Sequence, residues 1–219
     1  MDFLSMVLSL EGRLVEERHI WNRRAPSEIV AVETLSMLTN NNYAIENVDL
    51  IVVTLGPGSF TGIRVALAFC KGLRVRGNVR LIGVPTLDAL ASPFSFMEGY
   101  YLCPAIDAKK SEVFTCLYHV SDGNVARVED YRAVKPADLA GMIRRPCICF
   151  GTGTALCAPF LSRIEDVCVI KDGFSRISGE ALVREGLKKL SEAGPETSAP
   201  QPIYCRKSEA EIKFNIDIQ

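Results

Sequence analysis

One short pattern occurs twice in this chain and limits the fold more than any other feature. An apolar run ends in a glycine pair and leads at once into a helix-like stretch. Residues 50–55 run into Gly56-Pro57-Gly58, and residues 147–150 run into Gly151-Thr152-Gly153. A run that is apolar at every position has no solvent face. It reads as a strand covered on both sides, as in a sheet flanked by helices.

The elements around the two patterns come in nearly the same order. In the second half, strands are predicted at 100–107, 112–120 and 125–131, with the turn Asp122-Gly123-Asn124 between the last two. A helix follows over 135–143, then a strand at 147–150, a helix at 155–161 and a strand at 167–170. The last helix starts after Ser178 and carries Ala181, Leu182, Leu187 and Leu190 as its apolar stripe. The first half gives strands at 3–10 and 13–20 and a helix from Ser27 to residue 39, with Ile29, Val32, Leu35 and Leu38 at helical spacing. A strand at 50–55, a helix at 61–74, a strand at 80–84 and a short helix at 85–90 complete it. The expected fold is α/β: two lobes, 1–97 and 98–219, built on one unit. Residues 194–202 read as a connector, and the partly apolar tail 203–219 is expected to pack.

The first copy lacks one element. In the second copy the opening strand ends in Asp107; the first copy has no counterpart. That strand belongs in mid-sheet, between the hairpin and the strand at 50–55. Leaving its neighbours unpaired costs roughly several kcal/mol. The expectation is a misplaced start codon or a truncation, with a strand ending in Asp encoded just upstream.

Net charge is 25 − 26 = −1, which excludes a whole-protein electrostatic grip on nucleic acid or an anionic membrane. No apolar run reaches the roughly 18–20 residues of a membrane span, and the N-terminus has no basic n-region. A cytoplasmic protein is expected. Of the 8 cysteines, Cys103, Cys116, Cys147, Cys149 and Cys168 lie in apolar runs and read as small buried hydrophobes. Cys147-Ile148-Cys149 lacks the spacing of a zinc site, and neither His19 nor His119 is placed to help.

The loop Gly56-Pro57-Gly58-Ser59-Phe60-Thr61-Gly62 carries the most information. Three glycines and a proline between a buried strand and a helix demand a tight turn, with Ser59 or Thr61 as cap. A phosphate-binding P-loop needs Lys after its last glycine, and Ile63 stands there. A dinucleotide fingerprint fails on spacing and on Arg76, which stands where an acid is required. The following stretch holds Arg64, Lys71, Arg74, Arg76 and Arg80 with no acid. Its run Val65-Ala66-Leu67-Ala68-Phe69-Cys70 is apolar on more than one face, as in a helix at an interface.

Residues 50–68 with Lys71-Gly72-Leu73 resemble the signature of the TsaB (YeaZ) family. Val84-Pro85-Thr86-Leu87-Asp88-Ala89-Leu90, Ile106-Asp107-Ala108-Lys109-Lys110-Ser111-Glu112-Val113-Phe114 and Pro202-Ile203-Tyr204-Cys205-Arg206-Lys207 extend the likeness. The resemblance implies two actin-like (ASKHA, ribonuclease-H-like) lobes. It also implies a non-catalytic subunit that supports TsaD in making N6-threonylcarbamoyladenosine at position 37 of tRNA. TsaD and the ATPase TsaE would be its partners. Contact with tRNA would run through the complex, and a homodimer could use the same surface. The implied interface comprises Gly56, Gly58, Ser59, Phe60, Thr61, Gly62, Arg64, Ala66 and Lys71. No catalytic residue, metal or cofactor is implied on the isolated chain, with ATP or ADP left to the complex.

The residues fit that reading. A TsaD-like metal site needs two histidines one turn apart on a helix, and His19 and His119 lie in different halves. An actin-like phosphate loop needs Asp-x-Gly, and the second lobe has Asp107-Ala108-Lys109. Asp107, Gly151 and Gly153 are thus vestigial nucleotide-site candidates. No nucleophile–base pair supports the older glycoprotease label. The chain departs from the family in its missing first strand and at Arg24-Ala25-Pro26-Ser27-Glu28, where a histidine is usual. The competing reading is a nucleotide-binding actin-like kinase or hydrolase active on its own; a dinucleotide oxidoreductase ranks below it.

Overall fold

A computed structural model describes residues 2–22, 26–76, 79–171, 173–192 and 199–206. The tail beyond Arg206 and the departure at Arg24-Ala25 lie outside the described residues. The chain divides into two compact units. One comprises Met1–Ala89 with Ile177–Pro202, the other Leu90–Arg176 with Ile203–Gln219.

The first unit opens with a hairpin, β1 (Asp2–Leu10) against β2 (Arg13–Asn22), in which Val7 lies opposite Glu17. Helix α1 (Pro26–Asn40) packs on β1. Strand β3 (Leu50–Thr54), helix α2 (Phe60–Arg76) and strand β4 (Arg80–Val84) form a parallel βαβ pair with Val52 opposite Ile82. A short helix α3 (Thr86–Ala91) follows. Among the described residues the hairpin and the β3–β4 pair are separate two-stranded sheets, with no strand joining them. Burial reflects this. No described side chain of β1 is buried, and in the all-apolar stretch of β3 only Val53 is. Among the described residues, then, this sheet is in two pieces.

The second unit has a continuous sheet. Strand β5 (Tyr101–Lys109) is antiparallel to β6 (Glu112–Thr115) on one side. On the other it runs parallel to β10 (Cys147–Phe150), with Cys103 opposite Cys149. Strand β7 (Tyr118–Ser121) also pairs with the start of β5 and forms a hairpin with β8 (Asn124–Arg127). Strand β9 (Arg132–Val134) pairs with β6. A one-turn helix α4 (Pro136–Leu139) precedes β10; α5 (Thr154–Leu161) and β11 (Val167–Val169) follow it. The order is β11-β10-β5-β6-β9. All four residues of β10 are buried, against one of five in β3.

Three expectations need correction. The strand expected over 112–120 is two, because the chain breaks at Cys116-Leu117. There the Cys116 thiol donates to the Glu129 carbonyl and Val128 N–H donates to the Leu117 carbonyl. The strand expected over 125–131 ends early, at Arg127 of β8, and the next strand, β9, begins only at Arg132. The last helix, α6 (Gly179–Glu192), read as the end of the second lobe, packs across β1, β2, β3 and β4 of the first unit. Its cap is as predicted, with Ala181 N–H donating to Ser178 Oγ at 3.3 Å. Its buried edge is Gly179, Ala181, Val183 and Gly186, and Leu187 is exposed. The glycines explain the fit. A Cβ on Gly179 would lie 2.9 Å from Val7, and one on Gly186 2.4 Å from Val52.

Candidate functional site

The loop after β3 is built by its glycines and one serine. Gly56 has φ +96°, a backbone region open mainly to glycine, and its carbonyl accepts from Thr86 N–H at 2.8 Å. Gly56 and Pro57 are buried. Ser59 caps α2: its Oγ accepts from Gly62 N–H at 3.2 Å. A Cβ on Gly62 would press on Ser59 Oγ at 3.3 Å, whereas one on Gly58 would meet Ile63 at an ordinary 3.7 Å. The loop thus delivers α2 with Ser59 and Thr61 exposed and Phe60 half-buried. The Arg64 guanidinium lies 4.0 Å from the Phe60 ring centroid.

Helix α2 has two unequal faces. Ile63 and Leu67 are buried with Val53 and Leu81, and Ala66 and Cys70 pack against that cluster. Burial pushes the Cys70 thiol up to about 11. Thr61, Arg64, Ala68, Gly72 and Val75 are exposed at three- and four-residue spacing, with Val75 at 89%. Lys71 is half-buried, and the side chain of Arg76 lies outside the described residues. On α1, which packs against α2, Ile29 and Leu38 are buried as expected, but Val32 and Leu35 are 65% and 57% exposed. The residues read at helical spacing on α1 are thus divided between core and surface. Ala68, Gly72, Val75, Val32 and Leu35 are the surface residues that sequence reasoning missed. The signal that could have found Ala68, Gly72 and Val75 was their spacing from Arg64.

In the second unit, Asp107, Gly151 and Gly153 come together. A Cβ on Gly151, which has φ +112°, would lie 2.4 Å from the Ala105 carbonyl oxygen. Gly153 N–H donates to that oxygen at 2.8 Å, and Asp107 N–H donates to Thr152 Oγ1 at 3.0 Å. The glycines are needed because this loop lies directly on the β5 backbone. The Asp107 carboxylate is taken. Lys109 N–H donates to it at 2.7 Å and Lys109 Nζ at 2.8 Å. Burial alone would raise this carboxyl, but the bonds from Lys109 outweigh it and hold it below the ordinary carboxylate value. Lys109 occupies the third position of the would-be Asp-x-Gly turn and keeps the glycine-like φ of +62°; Lys110 and Ser111 follow at +53° and +58°. The turn geometry persists, while its acid is held by a lysine. Arg206 anchors the segment 199–206 here, donating to Glu112 at 2.8 Å and to the Ala108 carbonyl at 3.2 Å.

The histidines are strand residues in this structure. His19 Nδ1 lies 2.9 Å from Ser5 Oγ on the β1–β2 hairpin, and the His119 ring lies tilted against Tyr101 at 4.7 Å between centroids. Cys103, Cys147, Cys149 and Cys157 are buried among Leu117, Leu139 and Leu161. Hydrogen bonds shared with Cys103 and Cys157, together with burial, push the Cys149 thiol up, and burial does the same to Cys147. Cys168, expected inside, is exposed on β11 because that strand is the sheet edge. Among the described residues no group of three His, Cys, Asp or Glu side chains is placed to hold a metal, and no helix is long and apolar enough to cross a membrane.

Comparison with known proteins gives a consistent picture. The family model described as TsaD, tRNA N6-adenosine threonylcarbamoyltransferase, matches residues 22–169. The chain is 28% identical to the tRNA threonylcarbamoyladenosine biosynthesis protein TsaB of Bacillus subtilis (strain 168), covering 96% of this chain and 93% of that protein. It is 29% identical to TsaB of Escherichia coli (strain K12) over 45% of this chain and 43% of that one. Among solved structures, YeaZ from Pseudomonas aeruginosa superposes with a TM-score of 0.73 at 22% identity, over 91% of this chain and 93% of that one. At that identity the likeness shows the fold alone, an α/β fold shared along nearly the whole chain.

Proposed function

The chain belongs to the TsaD family, within its TsaB/YeaZ group, and on that premise we propose that it serves tRNA threonylcarbamoyladenosine biosynthesis as a non-catalytic partner of a TsaD-type transferase. The observation that carries this reading is the exposed stripe Thr61, Arg64, Ala68, Gly72 and Val75 on α2, with Val32 and Leu35 on α1. Small and apolar residues exposed on two packed helices suit close helix-to-helix docking. Arg64, held over Phe60, supplies a charge at its edge.

The state of Asp107 supports a helper rather than a second enzyme. The Asp107 carboxylate is ion-paired with Lys109, one hydrogen bond to each oxygen, where an actin-like phosphate loop would leave the acid facing the ligand. The same surface would serve a TsaD chain or a second copy. TsaE, tRNA and any ATP or ADP would join through the assembled complex.

Co-purification with TsaD tests the proposal, together with the modified-nucleoside content of tRNA after deletion of the gene. Association and loss of the nucleoside are expected. An unchanged nucleoside level would overturn the proposal. ATP turnover by the isolated chain would favour the kinase or hydrolase reading instead.

A further inference from the structure

Helix α5 has no polar face. Its residues, Thr154-Ala155-Leu156-Cys157-Ala158-Pro159-Phe160-Leu161, hold one hydroxyl, one thiol and no charge. A surface helix ordinarily turns polar residues to water, and one that is apolar all round is covered on more than one side. Here only one side is covered. Thr154, Cys157 and Leu161 are buried, the last two in the core of the second unit with Cys149 and Leu139. Ala155, Leu156, Pro159 and Phe160 are exposed, Leu156 at 38% and Phe160 at 46%. Ala155 with Pro159, and Leu156 with Phe160, are two pairs at four-residue spacing set side by side, so the four share one face. A contiguous apolar face differs from the single exposed hydrophobes that any surface carries.

A groove runs along this helix. It has a volume of about 680 Å³, within the range that holds several side chains. It is lined by Ala155, Ala158 and Pro159 of α5, by Ser162 and Arg163 in the turn that follows, and by Lys171 just after β11. Both charges in the lining are positive, and both are exposed. An occupant that covers Arg163 and Lys171 strips water from two cations and must return negative charge. Glu165 and Asp166 are exposed between α5 and β11, outside the lining. A broad anionic surface such as a membrane would meet these carboxylates as well as the cations. A narrow segment lying in the groove meets the cations alone.

We propose that the groove beside α5 takes an acidic amphipathic helix of a partner protein. Its apolar side chains pack on Ala155, Leu156, Pro159 and Phe160, and its carboxylates pair with Arg163 and Lys171. The site lies in the second unit and does not rest on the α1–α2 surface.

Amide NMR spectra of the full-length protein, titrated with a short synthetic peptide of leucine and glutamate at helical spacing, test this. Saturable shifts are expected at residues 155–163 and at Lys171. The same peptide with lysine in place of glutamate is expected to bind about tenfold more weakly or worse. Reversing both charges, Arg163→Glu with Lys171→Glu, is expected to invert that preference, and Phe160→Ser to weaken both peptides by about tenfold. No saturable binding, shifts confined to other residues, or a preference that the double reversal leaves unchanged would overturn the proposal. Two other outcomes would also overturn it by naming a different occupant. One is co-sedimentation with phosphatidylcholine–phosphatidylglycerol vesicles that Phe160→Ser abolishes. The other is the same α5 shifts appearing when the protein alone is concentrated, which would seat a second copy there.

Discussion

The two glycine-marked strands, β3 and β10, occupy the same place in their units and have met different fates. Among the described residues β10 is paired on both edges and wholly buried, whereas β3 is paired on one edge and mostly half-exposed. Their sequences, Leu-Ile-Val-Val-Thr and Cys-Ile-Cys-Phe, are equally apolar. What separates them is the neighbour that β5 gives to β10. A strand's burial depends on its sheet partners and covering helices as much as on its own hydrophobicity.

The largest effect should come from the glycines that follow these strands. Gly151→Ala would drive a Cβ into the Ala105 carbonyl oxygen, and backbone cannot easily give way. A loss of about 3 kcal/mol or more is expected in urea unfolding. Gly58→Ala, in the matching loop, meets only ordinary contact with Ile63 and should change stability by about 0.5 kcal/mol or less. Equal losses would mean that the two loops are held alike after all.

A second contrast lies within α2. Ala66 packs against the Ile63–Leu67 cluster, so Ala66→Asp should cost about 2 kcal/mol by burying a charge. Ala68→Asp is exposed and should leave the melting temperature nearly unchanged while lowering affinity for the proposed TsaD-type partner by about tenfold or more. Full affinity in Ala68→Asp would move the interface off this face.

The smallest effect concerns Lys109. Lys109→Gly relieves a left-handed residue and should stabilise the second unit by about 1 kcal/mol. It also removes the ammonium that depresses the Asp107 carboxyl. A depressed carboxyl adds stability above its unfolded value near 3.8, lost as pH falls through the lower folded value. The variant forgoes part of that contribution, so its advantage over wild type should be larger at pH 2 than at pH 7. A pH-independent difference would show that Lys109 does not hold Asp107.

Much of this architecture was legible in the residues. Apolar runs gave β3, β4 and β10 nearly to the residue, and the Gly-Pro-Gly and Gly-Thr-Gly turns placed α2 and α5. Ser178 announced the start of α6. Residues 112–120 misled because alternation continues through Cys116-Leu117, where hydrogen bonds to the segment 128–129 break the strand. Val32 and Leu35 misled because periodicity reports a stripe and not what lies against it.

The sequence by itself determined the local menu: which stretches are strands and which turns need glycine. Those follow from side-chain shape and backbone sterics, which act within a few residues. Only the tertiary structure decided that α6 closes over the first unit, that Lys109 turns back onto Asp107, and that β3, among the described residues, pairs on one edge alone. Each depends on residues that meet in space, often far apart in the chain, and no local preference encodes which surfaces will find one another.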